Sequence, residues 1–339
     1  MLRSLTFAFV LCAGLLGVSP TLSGTAMAND TRPDYAFAIH GGAGTIERAY
    51  LTEKLEAEYR EKLLEALTAG QTILADGGSG IDAVIAAIVI LEDSPLFNAG
   101  KGAVFTNAGK NELDASIMDG RTLNSGAVAG VTRIKNPILL ARTVMDQSEH
   151  VMMQGKGAEK FARRHGFRMV SSRYFYTERR WLQLQYALEQ KTGALQDHDA
   201  EKFGTVGAVA LDKAGNLAAG TSTGGRTNKL YGRVGDSPII GAGNYASNAS
   251  CAVSGTGHGE YFIRATVARD VCAMMEYAGV SLEDAANTVV FKRMGDLGGT
   301  GGVIAVDKDG NIAMPFNTAG MYRAAVTAGG DPVIAIFQE

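Results

Sequence analysis

A Gly-Thr junction stands where a polar stretch of the sequence meets an apolar one. Gly204 and Thr205 follow a charged, aperiodic segment and precede the apolar run 206–211. By spacing alone, such a junction is an ordinary strand start. If the peptide bond between the two residues were cut, Thr205 would carry both a hydroxyl and a free α-amine, a pair that acts in some hydrolases without histidine. The pKa of an α-amine, roughly 7.7–8.0, suits a general base near neutral pH. Thr205 is therefore a candidate nucleophile.

Ser222 is a second candidate nucleophile, because residues 220–224 match the G-x-S-x-G pattern of serine esterases. The stretch His40-Gly41-Gly42-Ala43 also resembles an esterase oxyanion loop. That pattern requires a helix directly after the serine turn, whereas residues 225–232 have no helical periodicity. Only Asp236 and His258 could complete a triad in the required chain order. A serine esterase remains an alternative hypothesis.

The sequence argues against a catalytic metal and a dinucleotide. Its five histidines are scattered, no H-E-x-x-H motif occurs, and the cysteines lack metal-ligand spacing. Residues 254–259, SGTGHG, have the spacing G-x-G-x-G, and Glu260 stands where a dinucleotide fingerprint needs its third glycine. This stretch lies between an apolar strand and a predicted helix, where its N–H groups could bind a small oxyanion or carboxylate. A turn that merely packs closely is the alternative. We expect no cofactor for catalysis.

The amino-acid composition limits the kinds of binding partner that the protein could have. The chain has 339 residues, and its 32 Lys+Arg against 35 Asp+Glu, without a dense basic run, argue against a nucleic-acid partner. Its 43 glycines fall in short clusters rather than at a fixed period, which indicates tight turns.

Residues 1–28 match a secretory signal peptide. Arg3 supplies a positive start, residues 5–18 are apolar, and Ala26-Met27-Ala28 is an A-x-A cleavage site. A mature protein beginning at Asn29 is therefore expected to be secreted, most simply into the periplasm. No later segment has a long uncharged apolar run, so we expect no membrane partner.

Three cysteines occur in the sequence. Cys12 would leave with the signal peptide, which leaves Cys251 and Cys272. One disulfide between these two is possible by their number, but because a chain of this length needs no covalent staple, we expect them to be buried free thiols.

Helical and strand patterns alternate along the chain, which predicts a layered α/β fold. Residues 209–218 and 304–313 each read as a strand, an Asp-Lys-x-Gly-Asn turn and a returning strand, which predicts two β-hairpins. Between them, residues 260–278 and 281–294 are predicted helices. Residues 189–204 are polar and aperiodic, which predicts an exposed linker.

Several short motifs occur along the chain in an order that is specific to one protein family. The motifs are HGGAG at 40–44, PLFNAG at 95–100, GTVGAVALD at 204–212, TSTGG at 221–225, GRVGDSP at 232–238, GAG at 241–243 and PFNT at 315–318. Together they resemble the isoaspartyl peptidase/plant-type L-asparaginase family of N-terminal-nucleophile hydrolases, over essentially the whole mature chain.

The resemblance implies a four-layer αββα sandwich made as a precursor. The precursor would cut itself between Gly204 and Thr205 into an α chain, 29–204, and a β chain, 205–339. Residues 29–188 of the α chain would be folded and 189–204 would form its linker. Two αβ units would associate as an (αβ)2 assembly.

The resemblance also implies roles in hydrolysing β-aspartyl dipeptides and asparagine. Thr205 would attack the side-chain carbonyl with its own amine as the base, and Thr223 would orient its hydroxyl. The hydroxyl of Thr256 and the N–H of Gly257 would form the oxyanion hole.

Recognition and support sites follow from the same resemblance. Arg233 would bind the substrate α-carboxylate and Asp236 its α-ammonium group, while Asn98 would lie near the cleavage site. Lys101 departs from the apolar residue of the family. A structural sodium could be bound by the backbone carbonyls of Leu91, Glu92, Ser94, Phe97, Ala99 and Lys101. A non-catalytic periplasmic binding protein is a third hypothesis, distinguished by the absence of self-cleavage.

Overall fold

The computed structural model describes residues 32–189 and 204–338. The predicted signal peptide, and residues 190–203 of the predicted linker, lie outside these ranges. Within them the helices are α1 (Glu53–Ala75), α2 (Gly80–Asp93), α3 (Pro137–Gln147), α4 (Gly155–Arg164), α5 (Glu178–Glu189), α6 (Gly259–Ala265), α7 (Val267–Ala278) and α8 (Leu282–Asn287).

The strands of the described residues form two sheets. One has eight strands in the order β12-β11-β1-β5-β6-β2-β3-β4, and the other has four in the order β10-β9-β8-β7. The strands are β1 (Ala36–Gly44), β2 (Leu113–Asp119), β3 (Ser125–Val131), β4 (Met152–Gln154), β5 (Val206–Leu211), β6 (Leu217–Thr223), β7 (Asn244–Ala246), β8 (Cys251–Gly257), β9 (Gly301–Asp307), β10 (Ile312–Ala313), β11 (Gly320–Thr327) and β12 (Val333–Phe337).

The two sheets stack face to face, with helices on both outer sides. Along β1, Phe37 and Ile39 face the core shared with α1, α2 and α3. Ala36 and Ala38 point to the opposite side, into a core shared with the smaller sheet, because alternate side chains of a strand lie on opposite faces. A third core joins the smaller sheet to α7 and α8. The layers run helix, sheet, sheet, helix, which confirms the predicted αββα sandwich.

Both predicted β-hairpins are confirmed. β5 pairs with β6 and β9 with β10. In the first turn the Asp212 carboxylate accepts the N–H of Asn216 at 2.9 Å, and in the second Asp307 accepts that of Asn311 at 2.9 Å. The repeated motif therefore marks repeated turn chemistry.

The two predicted helices beyond residue 260 differ from expectation. Residues 260–278 form α6 and α7 rather than one helix, with Thr266 between them in the left-handed conformation at φ 48°. The N–H groups of Ala268 and Arg269, in the first turn of α7, donate to carbonyls of residues 242 and 241 instead of to a preceding turn. Residues 281–294 begin as α8, capped by the Ser281 hydroxyl, and continue as a π-helical turn, Thr288–Met294.

The expectation of two free thiols is wrong. Cys251 at the start of β8 and Cys272 in α7 form a disulfide. Because α7 packs directly on β8, their Cα atoms lie 5.3 Å apart, within the range that a bridge requires. No helix among residues 32–189 and 204–338 is long and apolar enough to cross a membrane.

Candidate active site

Thr205 lies immediately before β5, near the centre of the large sheet, and is 7% exposed. The antiparallel register pairs Val206 with Ser222, which brings Thr205 next to Thr223. The Thr205 hydroxyl donates to the Thr223 hydroxyl oxygen at 3.1 Å. Thr223 also accepts the N–H of Gly225 at 3.0 Å, which holds its oxygen toward Thr205.

His40 holds the backbone of the candidate nucleophile. Its Nδ1 lies 3.0 Å from the carbonyl oxygen of Thr205, and its Nε2 lies 3.0 Å from the Ser254 hydroxyl. Burial lowers the pKa of His40 to about 3, so the ring is neutral. A neutral ring donates from Nδ1 to the carbonyl and accepts at Nε2 from Ser254. The sequence around His40 predicts a glycine-rich loop but does not predict this contact, because Thr205 stands 165 positions away.

Asn98 lies beside the predicted cleavage site. A Cβ added to Gly204 would stand 3.0 Å from the Cβ of Asn98, so glycine gives the junction room. The Asn98 side chain donates to the Gly225 carbonyl at 2.7 Å and accepts the N–H of Val104 at 2.9 Å. Asn98 therefore ties its loop to the turn that follows Thr223.

The predicted oxyanion residues end β8. Thr256 is fully buried, and its hydroxyl oxygen accepts the N–H of Ala43 at 3.2 Å. Accepting this bond leaves the hydroxyl proton able to be donated. A Cβ on Gly257 would stand 2.4 Å from the Thr300 carbonyl oxygen, so that position requires glycine.

Arg233 and Asp236 both lie against Gly259, whose added Cβ would stand 2.9 Å from Arg233 Nη2 and 2.7 Å from Asp236 Oδ1. Asp236 is 4% exposed, and its Oδ2 has no hydrogen-bond partner among the described residues. Burial raises the pKa of Asp236 to about 7, although the Arg233 charge opposes the shift. A buried carboxylate oxygen normally has a cation or a hydrogen-bond donor as its partner, and Asp236 Oδ2 has none among the described residues.

The Arg233 guanidinium already contacts a carboxylate. Its Nε and Nη2 donate to the two oxygens of Glu260, each at 2.9 Å. Burial opposes ionisation of Glu260, but the bonds and charge of Arg233 lower its pKa to about 2. In the sequence, Glu260 argues against a dinucleotide fingerprint and begins a predicted helix, and neither feature indicates its partner. No local signal pairs it with Arg233, because they stand 27 positions apart.

The structure does not assemble the serine triad. Ser222 is fully buried, and its hydroxyl donates to Glu92 at 2.6 Å, on the strand face opposite Thr223. Burial raises the pKa of Glu92 to about 8. His258 Nε2 lies 3.0 Å from Arg226 Nη1 instead. The esterase hypothesis is therefore wrong in its geometry.

The proposed sodium loop follows the end of α2 and folds back on itself. A Cβ on Gly100 would stand 2.3 Å from the Glu92 carbonyl oxygen, and one on Gly102 would stand 2.1 Å from that of Phe97. These two carbonyl oxygens therefore face glycines of the same loop, and carbonyl oxygens are the donors that hard cations take. The Lys101 ammonium lies 5.9 Å from the Tyr174 ring centre. Sodium binding by these carbonyls stays a prediction.

Comparison with known proteins identifies the family. The model of the family described as asparaginase matches residues 33–336. The chain belongs to the asparaginase family. It is 54% identical over 308 residues to the isoaspartyl peptidase of Escherichia coli, covering 89% of this chain and 96% of that protein.

Eukaryotic members of the asparaginase family are also similar. The probable isoaspartyl peptidase/L-asparaginase 2 of Arabidopsis thaliana is 42% identical over 327 residues, covering 90% of this chain and 99% of that protein. The isoaspartyl peptidase/L-asparaginase of Mus musculus is 45% identical over 291 residues, covering 86% and 87%.

Proposed function

We propose that this member of the asparaginase family hydrolyses the side-chain amide bond of β-aspartyl dipeptides and asparagine, with Thr205 as the nucleophile after self-cleavage. The observation that carries the proposal is the hydrogen bond from the Thr205 hydroxyl to Thr223. Among the described residues, no histidine or carboxylate is bonded to that hydroxyl. A base becomes available when the amine of Thr205 is freed.

Self-cleavage would use the same hydroxyl. Its oxygen attacks the carbonyl carbon of Gly204, the C–N bond breaks, and the nitrogen of Thr205 takes the proton. Water then hydrolyses the resulting ester, which leaves a carboxylate on Gly204 and restores the hydroxyl. The product is an α chain, 29–204, and a β chain, 205–339.

Turnover repeats this chemistry on the substrate. The freed amine takes the hydroxyl proton while the oxygen of Thr205 attacks the substrate's side-chain carbonyl. The Thr256 hydroxyl and the Gly257 N–H donate to the developing oxyanion. The departing amine takes the proton, and water hydrolyses the aspartyl ester to release aspartate.

Asp236 and Arg233 would recognise the aspartyl part of the substrate. The unpartnered Oδ2 of Asp236 supports an ammonium group there, because a cation compensates a buried carboxylate. Glu260 engages Nε and Nη2 of Arg233, so the substrate α-carboxylate would approach by the Nη1 edge, which lies beside Gly225 and Gly235.

Location and assembly complete the proposal. The Cys251–Cys272 disulfide supports export to an oxidising compartment, as the sequence of residues 1–28 predicts. We also propose an (αβ)2 assembly. A sodium ion on the backbone carbonyls of residues 91–101 would fix the loop that carries Asn98 and would take no part in bond breaking.

Mass spectrometry with kinetics tests the proposal. The purified protein should yield a fragment that begins at Thr205, and it should release aspartate from β-aspartyl-leucine. Thr205→Ala should block both cleavage and turnover, Thr205→Ser should keep part of each, and Ser222→Ala should largely retain the chemistry. A fully active preparation that holds only uncut chain would refute the proposal.

A further inference from the structure

Four charged or ionisable side chains form a row beside the predicted oxyanion residues. Arg226 Nη1 lies 3.0 Å from His258 Nε2, and that nitrogen lies 3.3 Å from Glu260 Oε2. Glu260 in turn accepts two hydrogen bonds from Arg233. The row therefore has a guanidinium group at each end, and the one on Arg233 is bonded directly to Glu260.

Arg226 and His258 belong to the same chain segments as the groups proposed to react. Arg226 follows Thr223 by three positions, and His258 directly follows Gly257. Thr223 contacts the Thr205 hydroxyl. The contact between Arg226 and His258 thus joins the loop after β6 to the end of β8, next to the reacting centre.

The chemistry of this pair favours an anionic ligand. When its imidazole is uncharged, His258 accepts an N–H from Arg226 at Nε2, which orients the guanidinium plane. A guanidinium is always charged and binds carboxylates through paired N–H groups. The pair therefore offers an oriented carboxylate-binding group at the opposite end of the row from Arg233.

The two proposed substrates differ only on their leaving side. β-Aspartyl dipeptides and asparagine both present an α-carboxylate and an α-ammonium on the aspartyl part, which Arg233 and Asp236 would bind. Asparagine releases ammonia, whereas a dipeptide releases an amino acid whose carboxylate is separated from the departing nitrogen by one carbon. A group that distinguishes the two must therefore lie on the leaving side.

We propose that Arg226, oriented by His258, binds the carboxylate of the leaving amino acid and so favours β-aspartyl dipeptides with a free carboxyl terminus. This inference rests on the proposed function and assigns its leaving-group subsite. Arg226 and His258 are positioned for binding and take no part in bond cleavage.

A substrate comparison on the unmodified, self-processed enzyme tests the subsite directly. β-Aspartyl-leucine, β-aspartyl-leucinamide and asparagine are compared by kcat/KM. We expect the free acid to exceed the leucinamide by about 10- to 100-fold, the range of one hydrogen-bonded charge. Equal values for the acid and the leucinamide would overturn the subsite. Turnover of none of the three compounds would refute the proposed function as well.

A variant then assigns the effect to Arg226. In Arg226→Gln the ratio of acid to leucinamide should fall to near one, and Arg226→Lys should recover only part of it, because lysine lacks the planar fork. Arg163→Gln, an exposed arginine on α4, is the matched control and should keep the wild-type ratio. A wild-type ratio in Arg226→Gln, measured on protein shown by mass to be processed, would contradict the assignment.

Discussion

His40 Nδ1 lies 3.0 Å from the carbonyl oxygen of Thr205, although the two residues stand 165 positions apart. β1, which carries His40, runs beside β5 in the large sheet. The contact thus joins the segments on the two sides of the proposed cleavage site at the nucleophile itself. It restrains the backbone of Thr205 in the uncut chain and would also do so after the proposed cut.

Replacing His40 tests this restraint. In His40→Ala the Thr205 carbonyl loses its buried donor, a cost of about 1–3 kcal/mol. We expect self-cleavage and kcat to fall by about 10- to 100-fold, with a smaller change in KM because His40 lies on the nucleophile rather than on Arg233 or Asp236. Time-resolved intact mass and steady-state kinetics measure both rates. His150→Ala, at an exposed position, is the control; wild-type rates in His40→Ala would show that the contact is dispensable.

Arg233 should not tolerate lysine. Arg233→Ala leaves a desolvated substrate carboxylate unpaired, a cost of about 2–5 kcal/mol, or about 30- to 5,000-fold in kcat/KM. Arg233→Lys keeps the charge but loses the fork shared with Glu260, so it should recover little of the loss. The assay compares β-aspartyl-leucine with the methyl ester of its aspartyl α-carboxylate, on protein confirmed as processed. Equal turnover of both compounds by wild type would refute the role of Arg233.

Asp236 should link activity and stability to pH in opposite directions. Its pKa is about 7 in the folded chain against 3.8 for an ordinary aspartate, so the folded state keeps a proton that the unfolded state releases. Stability from this group is therefore full below pH about 4 and is lost as pH rises through about 7. The ionised form that binds an ammonium group is the form that destabilises the fold.

Asp236→Asn should accordingly gain stability relative to wild type as pH rises from 5 to 8, while kcat/KM falls by a factor of about 30 or more. In wild type, kcat/KM should decline as pH falls below about 7. Thermal melts and pH–rate profiles measure the two effects. A stability difference that does not change with pH would contradict the buried, unpartnered state of Asp236.

Removing the disulfide should lower stability more than activity. The Cys251–Cys272 bridge spans 21 positions, and bridges of this loop length contribute about 2–4 kcal/mol. Urea unfolding of the uncut Thr205→Ala precursor, with and without Cys251→Ala/Cys272→Ala, measures the difference in one chain. Activity should persist at moderate temperature because the bridge lies at the start of β8, whereas Thr256 and Gly257 lie at its other end. Unchanged unfolding midpoints would show that the bridge adds nothing.

Local chemistry was predictable from the sequence. Asp212 and Asp307 sit in identical turn motifs, and both turns form because each carboxylate accepts an N–H close by in the chain. The alternation of helical and strand patterns predicted a layered α/β fold, whereas the four-layer order came from the family resemblance, because β1 is buried on both faces and its sequence does not show that Phe37 and Ala38 point to different cores.

Contacts made by distant segments were not predictable. The Arg233–Glu260 bonds, the His40–Thr205 contact and the disulfide each depend on which elements the fold places side by side. The break at Thr266 likewise depends on carbonyls of residues 241 and 242 that accept the first N–H groups of α7. Periodicity alone predicts one helix there.

The order of strands in the large sheet affects how the protein would refold after self-cleavage. β1, from before Gly204, lies between β11 and β5, which both come after it. Once the chain is cut as proposed, a strand of one polypeptide lies between two strands of another. The two polypeptides therefore stay together, and a size measurement under native conditions does not detect the cut. After unfolding, however, β1 must find its place from a separate molecule, so refolding becomes concentration-dependent where that of the precursor is not. The mature enzyme would fold once, and its persistence would then depend on how slowly it unfolds.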